Sequence, residues 1–257
     1  MNPNGTDPLL AALTRLATDP PADLLDRVVT RWITVPCSVG DLFVAFTDRG
    51  ISYVRLAGAA ESVEELLESY RSRFGRPLRR INRPPAGIMP ALRTGRSRSL
   101  EFDLRGASDF EREVLRAAQE IPLGQTRPYA WVAREIGRPG AVRAVGSALG
   151  HNPVPVLIPC HRVTRSDGLS GDYVFGAQTK EALLRAEKVN LDEVRELARA
   201  RIFYLGSDTT GIVCFPTCHH ARRISPKHRR GFRTAGQAAD AGYRPCRACR
   251  PGVVPAA

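Results

Sequence analysis

A cysteine beside a histidine forms the stretch of the chain best suited to chemistry. The run Pro159-Cys160-His161-Arg162-Val163 follows the apolar segment Val154 to Ile158. Proline restricts its own backbone and that of the residue before it, so we expect Cys160 to lie on a rigid bend. A neighbouring imidazole can take the thiol proton, directly or through water, and leave the nucleophilic thiolate. The alternative is a buried structural cysteine, which is the commoner meaning of an isolated Cys-His pair.

Four of the six cysteines form two close pairs near the end of the sequence. Cys214-x3-Cys218 and Cys246-x2-Cys249 have the spacing of a four-thiolate zinc site. In a cytosolic protein such pairs indicate a metal more often than disulfides, and we therefore predict zinc. Three nearby histidines could also bind a metal, but four thiolates suffice, so we expect the imidazoles at the surface. They are His219, His220 and His228.

The charge of the chain favours a polyanionic partner. The 257 residues carry a net charge of +12, and residues 201–257 hold ten Lys and Arg against two acidic residues. Such a block fits nucleic acid, although a solvated basic region is the alternative. The sequence has no apolar run long enough to span a membrane and no secretory signal at its start. We therefore expect a cytoplasmic, nucleoid-associated monomer without a membrane partner.

Secondary-structure patterns indicate which elements position these residues. Residues 32–57 alternate as strands with turns between them, which predicts a hairpin or meander. An amphipathic helix is expected over 61–74, and the Arg- and Pro-rich segment 76–98 is expected to be a loop. Ser108 followed by Glu111 predicts a capping box at a helix start.

Two short helical segments, Tyr129–Ile136 and Ala141–Leu149, are separated by the turn Gly137-Arg138-Pro139-Gly140. This arrangement resembles a helix-turn-helix, and the small side chains of the second helix would let its backbone approach a partner closely. A helical hairpin used only for packing is the alternative. A further helix, from Lys180 to Lys188, would place Glu187 near His161.

A series of short motifs runs through residues 108–188. In order they are Ile121-Pro122-x-Gly124, Tyr129, Arg143-Ala144-Val145-Gly146, Asn152-Pro153, Pro159-Cys160-His161-Arg162-Val163, Gly168, Tyr173, Lys180 and Leu183-Leu184-x-x-Glu187. In these motifs the chain resembles the O6-alkylguanine-DNA alkyltransferases, and more loosely over 32–105. The resemblance implies DNA repair by direct reversal. An alkyl group would pass irreversibly from O6-alkylguanine, and from O4-alkylthymine, to a protein cysteine without a cofactor.

The resemblance also implies a catalytic role for four positions. Cys160 would be the alkyl acceptor. His161, acting through a water, and Glu187 behind it would form the relay that makes the thiolate. Asn152 would brace the turn that carries the site.

Five further positions are implied to contact the substrate or the DNA. Tyr129 would help to rotate the damaged nucleotide, and Arg143 would fill the vacated space from a helix lying in the minor groove. Tyr173 would line the base pocket, and Phe175 would narrow it and disfavour large adducts. Arg162 is assigned to the same DNA-contacting set.

The cysteine-rich segment carries a second resemblance. Residues 209–218 and 243–251 are similar to the methylphosphotriester-repair domain of Ada. This implies that Cys214 is a second methyl acceptor and that Cys218, Cys246 and Cys249 complete the zinc ligands. The domain would be a small zinc-bound α+β unit.

The predicted organisation has five parts. They are a helical extension (1–31), an α/β domain related to ribonuclease H (32–105), a mainly helical, winged-helix-like catalytic domain with the helix-turn-helix (106–190), a linker (191–200) and the zinc domain (201–253). Two other functions are weighed against repair: a non-catalytic DNA-damage-binding or regulatory zinc protein, and a thiol redox sensor. The first is disfavoured by the presence of Cys160, and the second by the lack of a resolving cysteine near it.

Overall fold

The computed structural model describes residues 28–57 and 62–252. The predicted helices before residue 28 lie outside the described residues. Within the part that is described, no helix combines the length and the apolar character needed to cross a membrane.

The first sheet is the predicted meander with one added strand. Strands β1 (Thr30–Cys37), β2 (Gly40–Thr47) and β3 (Gly50–Leu56) pair antiparallel in sequence order. Strand β4 (Leu78–Arg80) pairs parallel with β1, which gives the order β3-β2-β1-β4. Helix α1 (Val63–Phe74) has a capping box at its start and ends at Gly75, whose φ of 62° suits glycine.

The loop prediction for residues 76–98 was wrong. This segment contains β4 and helix α2 (Ile88–Thr94). The edge of β1 supplies the hydrogen bonds for β4, and burial of Ile88 and Ala91 stabilises α2. Both are tertiary contacts that local periodicity does not report.

The helical part follows the predicted pattern to within a few residues. Helix α3 (Asp109–Gln119) begins at the predicted Ser108–Glu111 capping box. It packs against α4 (Tyr129–Glu135) and α5 (Val142–Gly150). The two-residue strands β5 (Arg127–Pro128) and β6 (Val163–Thr164) pair parallel beside them. Helix α6 (Gly176–Ala186) then leads to helix α7 (Leu191–Arg199), which occupies the segment predicted as a linker.

The cysteine-rich part forms a second four-stranded sheet. Its strands are β7 (Tyr204–Ser207), β8 (Ile212–Cys214), β9 (Arg229–Phe232) and β10 (Arg244–Pro245), and helix α8 (Ala235–Asp240) packs on them. The strand order is β10-β8-β7-β9. Several of its buried side chains, among them Leu205 and Phe215, belong to the same contiguous core cluster as Trp131 and Val163 of the helical part. The fold is therefore mixed helix and sheet, as predicted, and the cysteine-rich part is packed onto the rest.

Candidate active site and metal centre

Cys160 begins a single 3-10 turn, Cys160–Arg162, and is only 4% exposed. The side-chain amide of Asn152 donates hydrogen bonds to the Cys160 Sγ at 3.1 Å and to the carbonyl of Ile158 at 3.0 Å. The Asn152 Oδ1 accepts from the backbone N–H of Val154 at 2.9 Å. The Asn152 side chain therefore bridges Val154 and Ile158, the two ends of the segment before the 3-10 turn. It also directs an N–H at the Cys160 sulfur, which favours the thiolate form.

The imidazole of His161 is held by Glu187, the residue that caps the end of α6. The His161 Nε2 lies 2.9 Å from the Glu187 Oε1. Burial would raise the pKa of Glu187, but hydrogen bonds from His161 and Arg162 outweigh it and lower the pKa from 4.5 to about 2. A carboxylate can only accept, so Nε2 carries the proton of the neutral ring. The Nδ1, which has no hydrogen-bond partner within the described residues, is then the nitrogen that can accept a proton.

Arg162 corrects one sequence-based assignment. Its side chain is 2% exposed, and its Nε and Nη2 donate to the Glu187 carboxylate at 2.9 and 2.7 Å. Its Nη1 donates to the carbonyl of Ile121 at 2.8 Å. A duplex cannot reach a guanidinium in this position, so Arg162 fixes Glu187 instead of contacting DNA. The sequence motif alone could not show on which side of the turn the side chain lies.

The thiol of Cys160 is protonated in the resting site. Burial raises its pKa from 9.0 to about 11, although the hydrogen bond from Asn152 and the charge of Lys180 act in the opposite direction. Burial likewise lowers the pKa of His161, which keeps the imidazole neutral and able to act as a base. The site therefore pairs a protonated thiol with a neutral base.

Lys180 is a site residue to which the sequence motifs assign no role. Its fully buried Nζ donates to the carbonyl of Val163 at 2.7 Å, and burial lowers its pKa from 10.5 to about 8. The sequence does hold a signal for this role. Lys180 lies on the same helical face as Leu183 and Leu184, where an apolar core residue is expected. Its positive charge favours a thiolate at Cys160.

Three aromatic residues predicted to meet the substrate lie together near the cysteine. The ring of Tyr173 packs edge-on against His161 at 6.2 Å and against Phe175 at 5.5 Å between centroids. Burial raises the pKa values of Tyr173 and Tyr129, so both phenols stay protonated and can donate. A side chain at position 171 would collide with the Tyr129 hydroxyl, which explains why the loop has glycine at this position.

Arg143 lies on the exposed face of α5, away from the buried residues Val145 and Leu149. The turn between α4 and α5 contains Gly137, with φ of 72°. A Cβ at Gly146 would lie 4.0 Å from the Tyr129 ring, an ordinary van der Waals distance, so Gly146 of α5 faces Tyr129 at the start of α4. Tyr129 and Arg143 are thus presented by adjacent elements, as the sequence predicts.

The four paired cysteines converge on one point. All are buried, and the sulfurs of Cys214, Cys218, Cys246 and Cys249 lie within 4.8 Å of one another. A tetrahedral four-thiolate zinc site has sulfurs about 3.8 Å apart, which follows from bonds of about 2.3 Å, so the donor set fits a metal of this kind. His219 and His220 are exposed, and His228 pairs with Asp208 at 3.1 Å, so none of the three belongs to the cluster.

Two of the four cysteines also line a surface cavity. Cys214 and Cys246 contribute to a cavity of about 890 Å³, together with Arg223, Arg244 and Arg247. Cys218 and Cys249 do not line it. Cys214 and Cys246 therefore belong to the side of the cluster that borders this cavity and its arginines.

Comparisons with known proteins give two matched families. Residues 109–189 match the DNA-binding domain of 6-O-methylguanine DNA methyltransferase, and residues 193–252 match the metal binding domain of Ada. A methylated-DNA–protein-cysteine methyltransferase of Mycolicibacterium paratuberculosis is 51% identical over 89 residues, which cover 35% of this chain and 53% of that protein. The chain thus spans about half the length of the first curated relatives it matches.

Two further relatives are matched along nearly their whole length. A crystal structure of Mycobacterium tuberculosis OGT in complex with DNA is similar with a TM-score of 0.50 and 31% identity, covering 64% of this chain and 98% of that one. A methylated-DNA–protein-cysteine methyltransferase of Methanosarcina barkeri is 35% identical over 156 residues, which cover 60% of this chain and 94% of that protein. With motifs, site geometry and this coverage in agreement, the chain belongs to the family of methylated-DNA–protein-cysteine methyltransferases.

Proposed function

We propose that this protein repairs DNA by transferring a methyl or larger alkyl group from O6-alkylguanine, and from O4-alkylthymine, to Cys160. One observation carries the proposal. The Cys160 sulfur accepts a hydrogen bond from Asn152 beside a histidine that Glu187 orients, under a pocket of aromatic side chains. The substrate is double-stranded DNA, which the names of the relatives and the net charge of +12 support.

The target base must leave the duplex before its O6 atom can be reached, which costs a few kcal/mol. Tyr129 assists this rotation, and Arg143 occupies the space left in the stack. The small residues of α5 let it lie in the minor groove. The aromatic pocket of Tyr173 and Phe175 then receives the base, and Phe175 favours methyl over benzyl adducts.

The transfer itself is a displacement at the alkyl carbon. The Nδ1 of His161 accepts the thiol proton through a water, and the thiolate forms a carbon–sulfur bond as the carbon–oxygen bond breaks. The electron pair stays on the guanine, whose developing charge is stabilised by a hydrogen bond from the Tyr129 hydroxyl. The exchange involves no net oxidation or reduction, so it needs no cofactor. The thioether has no proton to lose, and each Cys160 therefore reacts once.

The finer description of the fold belongs to the same proposal. The sheet of β1–β4 with α1 would be the family's domain related to ribonuclease H, and α3–α6 a winged-helix-like unit whose α4 and α5 form the helix-turn-helix. The protein would act in the cytoplasm, associated with the nucleoid, as a monomer without a membrane partner. We propose that the domains are divided after residues 31, 105, 190 and 200.

A second activity is proposed at Cys214, with zinc held by Cys214, Cys218, Cys246 and Cys249. When bound, zinc would keep the four thiolates deprotonated and stabilise the small sheet. The specific observation in favour is the surface cavity, where Cys214 lies beside arginines suited to a DNA backbone. Methyl transfer from a methylphosphotriester to this thiolate would leave an ordinary phosphodiester.

The alternative is a non-catalytic zinc protein that binds damaged DNA or regulates genes. The two functions differ in whether a covalent product forms. Exposure of the chain to duplex DNA carrying labelled O6-methylguanine should label the wild type and Cys37→Ala alike, because Cys37 is not the proposed acceptor. Cys160→Ala should take no label from guanine. If the Cys160→Ala variant is labelled as fully as the wild type, the proposed acceptor is wrong.

A further inference from the structure

Arg127 has one of the most deeply buried charged side chains in the part of the chain that the structure describes. It lies in β5, two residues before Tyr129, and is 1% exposed. Its Nη1 donates to the carbonyl of Thr126 and its Nη2 to the side-chain oxygen of Gln125, both at 2.7 Å. Its Nε has no partner, and no carboxylate of the described residues forms an ion pair with it. The guanidinium thus satisfies only part of its hydrogen-bonding capacity and none of its charge.

The surroundings of this guanidinium are aromatic rings and thiols. Its central carbon lies 5.9 Å from the ring centroid of Trp131 and 5.4 Å from that of Phe215. Phe215 directly follows Cys214, and Thr217, which bonds the neighbouring Thr126, directly precedes Cys218. Burial lowers the pKa of Arg127, and negative charge on the four clustered cysteines would act in the opposite direction. A buried cation without a counter-charge is costly, so negative charge on the nearby thiols would stabilise Arg127 in this position.

A metal bound at the cysteine cluster would keep the four thiols ionised, and the thiolates would supply that negative charge. Four thiolates and one divalent ion have a net charge of −2, and all four cysteines are buried. We propose that Arg127 is the counter-ion of this metal–thiolate centre, and that metal occupancy thereby holds in place the segment 124–135 that presents Tyr129. The inference rests on the proposed metal site and goes beyond it, since it links that site to the alkyltransferase part.

Direct contacts to the cysteine-rich part extend along the same segment. At its start, the Thr126 N–H donates to the Thr217 hydroxyl at 2.9 Å, and Arg222 donates to the carbonyl of Gly124. At its end, Glu135 pairs with Arg250 at 2.6 Å. Thr217 and Arg250 each lie next to a cysteine of the cluster.

Contacts at both ends make α4 depend on the fold of the cysteine-rich part. Arg127 contributes from the middle of this interface, where no water can screen its charge. Loss of the metal would leave protonated, neutral thiols beside an unpaired cation. Replacement of Arg127 by a neutral side chain would instead leave the −2 centre unpaired.

The losses of stability caused by zinc removal and by replacement of Arg127 should therefore not be additive. The test uses the full-length protein. Zinc affinity is measured by competition with a chelating dye, and the unfolding midpoint is measured before and after zinc removal. Arg127→Met should bind zinc at least tenfold more weakly than wild type, and its midpoint should fall less on zinc removal. Arg127→Lys, which keeps the charge, should bind zinc within about threefold of wild type.

Arg134→Met is the matched control. Arg134 is in α4 and donates to the backbone carbonyl of Arg250 at 2.8 Å, but it is only partly buried. It should retain wild-type zinc affinity and the wild-type fall in midpoint. Equal zinc affinity and an equal fall in Arg127→Met and wild type would overturn the inference.

Two other results are distinguishable. If Arg127→Met does not fold, the zinc affinity of Arg127→Lys alone tests the proposal. A tenfold loss of zinc affinity in Arg127→Lys would show that Arg127 does not act through its charge. If wild type itself binds no zinc, the proposed metal site fails, and the inference fails with it. Transfer to Cys160 would then still stand as a separate proposal.

Discussion

At the scale of single residues, one carboxylate positions the two residues that follow the proposed nucleophile, His161 and Arg162. Glu187 accepts from His161 and from two nitrogens of Arg162, so its two oxygens are occupied by cationic or polar donors. The arrangement fixes the imidazole in one tautomer and leaves Nδ1 as the base. Its stability depends on the negative charge, which gives a measurable pH dependence.

Glu187→Gln should lose stability in a pH-dependent way. The pKa of Glu187 falls from 4.5 in the unfolded chain to about 2 in the fold, so its contribution is present in full above pH 4.5 and is lost as the pH falls toward 2. At 1.36 kcal/mol per pKa unit the contribution is about 3 kcal/mol. Urea unfolding at about pH 7 and about pH 3 should show the difference between wild type and variant shrinking in acid. A difference that is constant between the two conditions would contradict this account.

Cys160 should react slowly with a general thiol reagent. With a pKa of about 11 the thiolate is scarce near neutral pH, whereas a free cysteine is a few per cent ionised. We expect iodoacetamide to label Cys160 at least tenfold more slowly than a cysteine peptide in the same tube at about pH 7, with a rate that rises as the pH approaches the pKa. Peptide mapping by mass spectrometry gives the rate at this one position. Labelling as fast as that of the peptide would mean that the thiolate exists before substrate binds.

At the scale of elements, α4 and α5 present Tyr129 and Arg143 from two sides of one glycine turn. The buried faces of the helices pack on α3, and the exposed face of α5 is left for the proposed duplex. DNA binding and chemistry are therefore placed on different elements. A substrate without a duplex should therefore distinguish an effect on DNA binding from an effect on alkyl transfer.

Arg143→Ala should slow repair of O6-methylguanine in duplex DNA by about tenfold, since an arginine contact to DNA is worth about 1–3 kcal/mol. Its reaction with O6-methylguanine as a free base should be unchanged, because a free base leaves no gap in a duplex for Arg143 to fill. Single-turnover rates on the two substrates give the comparison. Arg138→Ala, an exposed arginine in the adjoining turn, is the control and should change neither rate. Equal losses on both substrates would mean that Arg143 supports the fold of the pocket instead.

Local sequence rules predicted the elements whose cause is local. The cap at Ser108 and the turns of the first sheet lie where they were expected, and the helix predicted over 61–74 ends at Gly75. The missed elements β4 and α2 depend on partners distant in sequence. Helix α7 was predicted as a linker, although Asn190 caps its start. The domain boundaries themselves stay a prediction.

The same distinction applies to the site. The family resemblance implied that Cys160, His161 and Glu187 lie together, and in the structure the His161 Nε2 is 2.9 Å from the Glu187 Oε1. The burial of Arg162 and the role of Lys180 were missed, since a motif does not show which way a long side chain turns. The contacts of Arg127 also cross between parts of the chain that the sequence pattern treats as separate.

At the scale of the whole molecule, the cysteine-rich part is joined to the rest by a shared core and by buried hydrogen bonds such as that between Thr126 and Thr217. Two proposed acceptor sulfurs, at Cys160 and Cys214, therefore belong to one packed body in which metal and alkyl chemistry can influence each other. The basic surface would bring both to DNA. What remains central is whether Cys160 accepts an alkyl group once and irreversibly.

The most direct measurement is intact-mass and peptide-mass analysis after incubation with excess duplex DNA that carries O6-methylguanine and no other lesion. The account predicts one added methyl group per chain, located on Cys160, and one O6-methylguanine restored to guanine within the DNA per protein molecule, however long the incubation lasts. A protein that stays unmodified, or that repairs more lesions than there are protein molecules, would contradict it.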